Sequence, residues 1–188
     1  IPVTIKPNTQ IFTYDGTEKT VEGYTVTGLL EGHVLSGVSA GRTEKNVGTY
    51  LIDVVGEPKV TDGGVDVTEN YTFTKGQGKL LIEEATVVVR GKSGTFTYDG
   101  TEKTVEGYEV TGLVEGHVLS GVSASRTEKN VGEYLVEVTG TAIIMDGSED
   151  VTRNYIVKRL SGQLTIEPAQ IPVTIKPNTQ IFTYDGTE

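Results

Sequence analysis

The apolar positions of this chain fall in short alternating runs. At Tyr50–Val54 the residues Tyr50, Ile52 and Val54 point one way and Asp53 the other. Runs of this kind recur between glycine, asparagine and aspartate, and alternation with such punctuation is the mark of half-buried β-strands. The pattern predicts strands near Val3–Ile5, Ile11–Tyr14, Thr20–Val26, Val34–Val38, Thr49–Val54, Asn70–Thr74 and Lys79–Glu83. The stretch "GLLEG" at Gly28–Gly32 reads as a turn or a single helical turn, too short to be a stable helix alone. Threonine, valine, glycine and tyrosine are abundant and alanine and leucine sparse, a mix that suits pleated strands.

The pattern is written twice. Tyr14 returns as Tyr98, Tyr50 as Tyr134, Asn70 as Asn154 and Ile82 as Ile166, each 84 positions on. Residues 1–84 form a unit A and residues 85–170 a unit B, longer by Ala169 and Gln170. Residues 171–188 repeat residues 1–18 without a change, so they read as the opening of a further unit A in a longer array. Comparing the copies tests the face assignment. Val3 and Ile5 become Val87 and Val89, Leu80 and Ile82 become Leu164 and Ile166, while the alternate Leu81 becomes Thr165. One face keeps its chemistry and the other drifts, as strands with one buried face do. Leu51 and Leu135 are apolar on the supposed outer face in both copies, which suggests an edge or a contact with the neighbouring unit.

The phrase "FTYDGTEKTVEGY" occurs whole at Phe12–Tyr24 and Phe96–Tyr108 and begins again at Phe182. In it, Tyr14, Asp15 and Gly16, repeated as Tyr98, Asp99 and Gly100, read as a strand end and a hairpin turn. Aspartate accepts backbone N–H groups two residues on and glycine allows positive φ. "KNVGTY" at Lys45–Tyr50 reads likewise as a turn feeding a core strand.

The formal charge of −10 removes the basic stripe that nucleic acid would need and argues against attraction to anionic lipid. No apolar run is long enough for a membrane helix. Cysteine is absent, so thiolate sites and disulfides are out. His33 and His117 sit in separate units, and no catalytic constellation, metal-ligating pair or cofactor-binding glycine loop is spelled. The acidic residues Asp62, Asp66, Asp146, Glu149 and Asp150 are the remaining calcium candidates, at a spacing that departs from known loops. A lysine–asparagine cross-link would draw on Lys19, Lys45, Asn46 and Asn70 or their second copies, whereas Lys6 and Lys79 become Arg90 and Gln163.

In fixed order, "YDGTEKTVEGYTVTGL", "EKNVGTYLIDV" and "NYTFTKGQGKLLIEEA" are followed by a second copy closing in "NYIVKRLSGQLTIEPAQIPVTI". This set resembles the YDG/MBG-type tandem repeats of large bacterial cell-surface proteins, over nearly all of both units. Gly32-His33 and Gly116-His117 depart from it, since that family often has Gly-Asp there, and the loops Gly56–Asp66 and Gly140–Asp150 are longer than usual for it. The resemblance implies extracellular stalk or adhesin modules and supplies no catalytic residues.

The sequence therefore predicts an all-β chain of two small sandwich-like or β-grasp-like domains in a rod, with the first strands of a third. Its function is read as that of a non-catalytic structural repeat on the bacterial cell surface, partnered by neighbouring repeats or identical chains. The alternative is an adhesin that grips a host protein or glycan through its loops. The connectors Glu83–Thr86 and Glu167–Ile171 are short, and Pro168 stiffens the second. Val173, Ile175, Ile181, Phe182 and Tyr184 of the third segment are expected to be covered by a neighbouring repeat or chain, because an isolated pair of strands is marginal in water.

Overall fold

The computed structural model describes residues 1–186; the last two residues of the third segment lie outside them. Unit A runs β1 (Pro2–Pro7), β2 (Gln10–Thr13), β3 (Lys19–Glu22), β4 (Tyr24–Thr27), β5 (His33–Ser39), β6 (Gly41–Glu44), β7 (Gly48–Asp53), β8 (Val55–Asp62), β9 (Val65–Asp66), β10 (Thr72–Lys75) and β11 (Gln77–Glu83). Unit B runs β12 (Ala85–Gly91), β13 (Gly94–Thr97), β14 (Lys103–Glu106), β15 (Tyr108–Thr111), β16 (His117–Glu128), β17 (Gly132–Val136), β18 (Val138–Asp146), β19 (Glu149–Asp150), β20 (Tyr155–Leu160) and β21 (Gly162–Glu167). The described residues contain no α-helix, only the 3-10 turns Thr68–Asn70 and Thr152–Asn154. The chain is all-β.

Each unit is a set of small sheets packed on one another. In unit A, β1 lies between β10, parallel, and β4, antiparallel; β11 lies between β2, parallel, and β7, antiparallel. Unit B repeats this with β12 and β21 at the centres. The registers coincide across the 84-residue offset: Ile5 faces Val26 and Val89 faces Val110, while Leu80 faces Tyr50 and Leu164 faces Tyr134. The central strands alternate cleanly, so Val3, Ile5, Leu80, Ile82 and their second copies are buried. Each such side chain contributes about 1.5–3 kcal/mol by leaving water.

One difference separates the units. β5 and β6 of unit A are fused in unit B as the single strand β16. Gly41, at the start of β6, is Ser125 in the second copy; glycine in a strand has no side chain to pack and a larger entropy to lose. Both units carry a β-bulge, between Ser36 and Val38 and between Ser120 and Val122. The glycines there are required: at Gly37 (φ +78°) a Cβ would stand 2.3 Å from the Glu57 carbonyl oxygen, and at Gly56 (φ +91°) 2.2 Å from that of Gly37.

Several expectations change. The predicted loops Gly56–Asp66 and Gly140–Asp150 are mostly strand, β8 with β9 and β18 with β19, paired to β5 and β16. The predicted strand Thr20–Val26 is broken at Gly23, whose φ is +84°, and the strand expected from Asn70 starts at Thr72. Asp15-Gly16 makes no hairpin, because β2 pairs with β11 and β3 with β6. "GLLEG" is a turn. Residues 171–186 form no strand: the partners that β1 and β2 use, β4, β10 and β11, have no third copy in this chain.

Candidate functional site at the joint between the repeats

Among the described residues, two hydrophobic clusters form the core. One, Val3, Ile5, Val54, Val60 and Tyr71, belongs to the outer half of unit A. The other begins at Tyr14, Ile52, Leu80 and Ile82 of unit A and continues without interruption into Val87, Val89, Val136, Ile144 and Leu164 of unit B. The core therefore crosses from one repeat into the next.

Two elements of unit A make the crossing. The first is the end of β2, where the Tyr14 N–H donates to the Glu83 carbonyl at 2.8 Å and so ties the tyrosine to the connector. The Tyr14 ring, 3% exposed, meets Tyr155 edge-on at 5.5 Å between centroids and His117 at 6.2 Å. Beside it, Gly16 lies against Val114, which a Cβ would approach to 3.1 Å. The second element is the turn Lys45–Val47 between β6 and β7. The Val47 N–H donates to Asn154 Oδ1, and Asn154 Nδ2 donates to Asn46 Oδ1, both at 2.9 Å. Asn154 is the one buried polar residue among those described, and both ends of its carboxamide are used across the joint. A buried amide bonded at both its oxygen and its nitrogen fixes orientation, because other placements break those bonds. At the rim, Lys45 Nζ reaches Asp146 Oδ2 at 3.3 Å, and that hydrogen bond raises the lysine pKa.

Unit B prepares the receiving face from its own residues. The Tyr155 hydroxyl accepts the Val114 N–H at 3.3 Å and lies 2.6 Å from His117 Nδ1. His117 Nε2 faces Asp146 Oδ2 from 3.6 Å. Burial pushes the Tyr155 phenol upward, so it stays neutral. The tyrosine–histidine–aspartate part of this set stands in unit A without a neighbour: Tyr71 hydroxyl to His33 Nδ1 at 2.7 Å, His33 Nε2 to Asp62 at 3.7 Å. Among the buried side-chain polar atoms of the described residues, the Tyr14 hydroxyl alone has no partner.

The turn residues of the repeated phrase act locally. Asp15 Oδ1 accepts the Thr17 N–H and hydroxyl at 2.9 and 2.6 Å, and Asp99 repeats this with Thr101. Lys19 and Lys103 hold the second carboxylate oxygens, and these bonds lower the Asp15 pKa to about 2 and hold Asp99 lower still. The calcium candidates are dispersed: Asp66 and Asp150 accept the Thr68 and Thr152 N–H groups, and Asp146 serves the joint. No group of three or more metal-ligating side chains forms among the described residues. Of the cross-link candidates, Lys45, Asn46 and Asn154 meet only in the hydrogen bonds and ion pair of the joint. Leu51 and Leu135 are exposed. Val173, Ile175, Ile181, Phe182 and Tyr184 lie exposed in the single chain, at 78% or more. Asn46, Val47, Val114, His117, Asn154 and Tyr155 were not singled out as a site from the sequence. The available signal was that "EKNVG" and the asparagine before each tyrosine are kept in both copies.

Among the described residues, no helix is long and apolar enough to cross a membrane. No family model matches the chain, and no curated protein matches it. Among solved structures it is similar to the I9–I11 tandem of titin, at 15% identity and a TM-score of 0.29, over 88% of this chain and 66% of that one. It is also similar to a protein of unknown function from Porphyromonas gingivalis W83, at 10% identity and a TM-score of 0.19, over 87% and 98% of the two chains. At these scores neither likeness bears on function.

Proposed function

We propose that this chain is a non-catalytic structural module of a bacterial extracellular stalk or filament, in which all-β repeats stand end to end. The observation that carries the reading is the joint. Two units connected by Glu83–Ala85 share a continuous apolar core and a buried asparagine bonded through both ends of its carboxamide. Flexible beads would need neither. The net charge of −10 keeps such a rod soluble and its repeats apart laterally. The resemblance of the motif set to YDG/MBG-type repeats supports the surface location. The exposed apolar residues 173–184 are read as strands of a further unit A, completed by a neighbouring repeat or by an identical chain placed head-to-tail.

Small-angle scattering of the whole chain tests the rod: two beads in line are expected, and a globule with the units folded side by side contradicts it. Protease shaving of intact cells that carry the parent protein tests the location. Release of fragments containing these repeats is expected, and full protection would place the protein elsewhere.

A further inference from the structure

The chain carries both halves of its own joint a second time, unmated, at opposite ends. Each donor residue of the joint recurs on the far end of unit B: Tyr14 as Tyr98, Gly16 as Gly100, Lys45 as Lys129, Asn46 as Asn130 and Val47 as Val131. The receiving residues recur on the free end of unit A: Val114 as Leu30, His117 as His33, Asp146 as Asp62, Asn154 as Asn70 and Tyr155 as Tyr71. All are identical except Leu30 for Val114. The open copies differ from the closed one in exposure. Tyr98 is 37% exposed where Tyr14 is 3%. Leu30 is 50% and Val131 46% exposed, whereas their counterparts Val114 and Val47 are half-buried. Asn70 is exposed where Asn154 is fully buried. Among the described residues, the side chains of Asn70, Asn130 and Lys129 make no hydrogen bond or ion pair, although those of Asn154, Asn46 and Lys45 do. Meanwhile the receiving face of unit A is already assembled, with His33 bonded to Tyr71 and facing Asp62.

We propose that the far end of unit B, formed by Tyr98, Lys129, Asn130 and Val131, is a docking surface for unit A of a second copy of this chain, received by Leu30, His33, Asp62, Asn70 and Tyr71. This rests on the head-to-tail reading above and assigns its contact. The argument is continuity with an interface that the chain already makes. The same side chains reproduce the apolar contact of Tyr98 on Tyr71, the amide pairing of Asn130 and Val131 with Asn70, and the Lys129–Asp62 charge pair. None of the receiving residues lies in residues 1–18, so the surface is the same whether the second copy keeps that segment or takes residues 171–188 of the first in its place. Because the two surfaces differ and lie on opposite ends, the contact does not close on itself and propagates.

Cysteine cross-linking tests it, helped by a chain that has no cysteine of its own. Asp62→Cys and Lys129→Cys are introduced together at the rim of the two open halves and treated with a short bismaleimide. The control carries Lys45→Cys and Asp146→Cys, the same positions in the closed joint. The control is expected to link within one chain, giving a monomer of altered mobility. The open pair is expected to give a ladder of dimers, trimers and higher species between chains. Adding Tyr98→Ser to the open pair is expected to cut the ladder about fivefold or more, since a central aromatic carries a large share of a contact. A linked control with no ladder, or a ladder unchanged by Tyr98→Ser, overturns the docking surface and leaves the rod reading standing. A control that fails to link removes the joint itself, and both readings with it.

Discussion

Asn154 and Asn70 occupy the same position of the same repeat, beside the same tyrosine, yet one is sealed in the core and the other lies in solvent. Tyr14 and Tyr98 differ in the same way, and so do Val47 and Val131. The flanking residues are close in each pair but not identical: Glu69 precedes Asn70 where Arg153 precedes Asn154, and Thr49 stands where the second copy has Glu133. What differs in every pair is whether another repeat stands against them. The burial of these residues is therefore a property of the joint and not of the unit, and the stability they confer should depend on the neighbour. That makes the paired positions an internal control: one substitution, made at the closed joint and at its open copy, should have two different costs.

The largest contrast is expected at the tyrosines. Tyr14→Ala removes a buried ring from Tyr155 and His117 and should cost about 3 kcal/mol in denaturant unfolding, whereas Tyr98→Ala should cost no more than about 1 kcal/mol. Equal costs would mean that the ring stabilises its own unit rather than the contact. Tyr14→Phe sharpens the point. Its hydroxyl is buried without a partner, so its removal should leave stability unchanged or raise it.

Next come the asparagines. Asn154→Ala strands the Val47 N–H and the Asn46 carboxamide, at about 2 kcal/mol, while Asn70→Ala should stay within about 0.5 kcal/mol. The aspartates of the repeated phrase should show no such contrast, because both turns are intact. Asp15→Ala should cost on the order of 1 kcal/mol, kept modest by solvent screening, and Asp99→Ala should act in the same direction. Both carboxylates are held below the ordinary aspartate range by their lysine and threonine partners. Their stabilisation is present above the unfolded pKa and lost as the pH falls toward the folded one, which for Asp15 is about 2. Unfolding midpoints should drop between about pH 4 and 2 in the parent chain, and by less in the double alanine variant. The smallest contrast is at the lysines: Lys45→Ala should cost about 0.5 kcal/mol and lose that effect in high salt, and Lys129→Ala nothing measurable.

Much of the unit was legible because its central strands obey period two. Val3 and Ile5 alternate with polar residues, Leu80 and Ile82 flank a Leu81 that is Thr165 in the second copy, and all four are buried as read. β8 was not legible in unit A, where "GEPKVTDGG" offers glycine, proline and acid, and only Val60 is buried. Pro58 is tolerated because it falls opposite the bulge, where the ladder with β5 is interrupted. The second copy, "TAIIMD", held a clearer strand signal for the same element. The joint was hidden for a different reason. Asn46 and Asn154 are more than a hundred residues apart, and every letter of the joint but one is also written at an open end. A repeat discloses its period in its sequence, but which surfaces are mated depends on how many copies stand in line.

The central claim is that the contact between unit A and unit B is a fixed joint. Backbone nitrogen relaxation of the whole chain measures this directly, since it reports whether the two units tumble as one body or two. The account predicts that both units fit a single, strongly anisotropic rotational diffusion tensor, and that Asn154→Ala or Tyr14→Ala separates them. Two independent tensors in the unsubstituted chain, each with the correlation time of a lone unit, would contradict it.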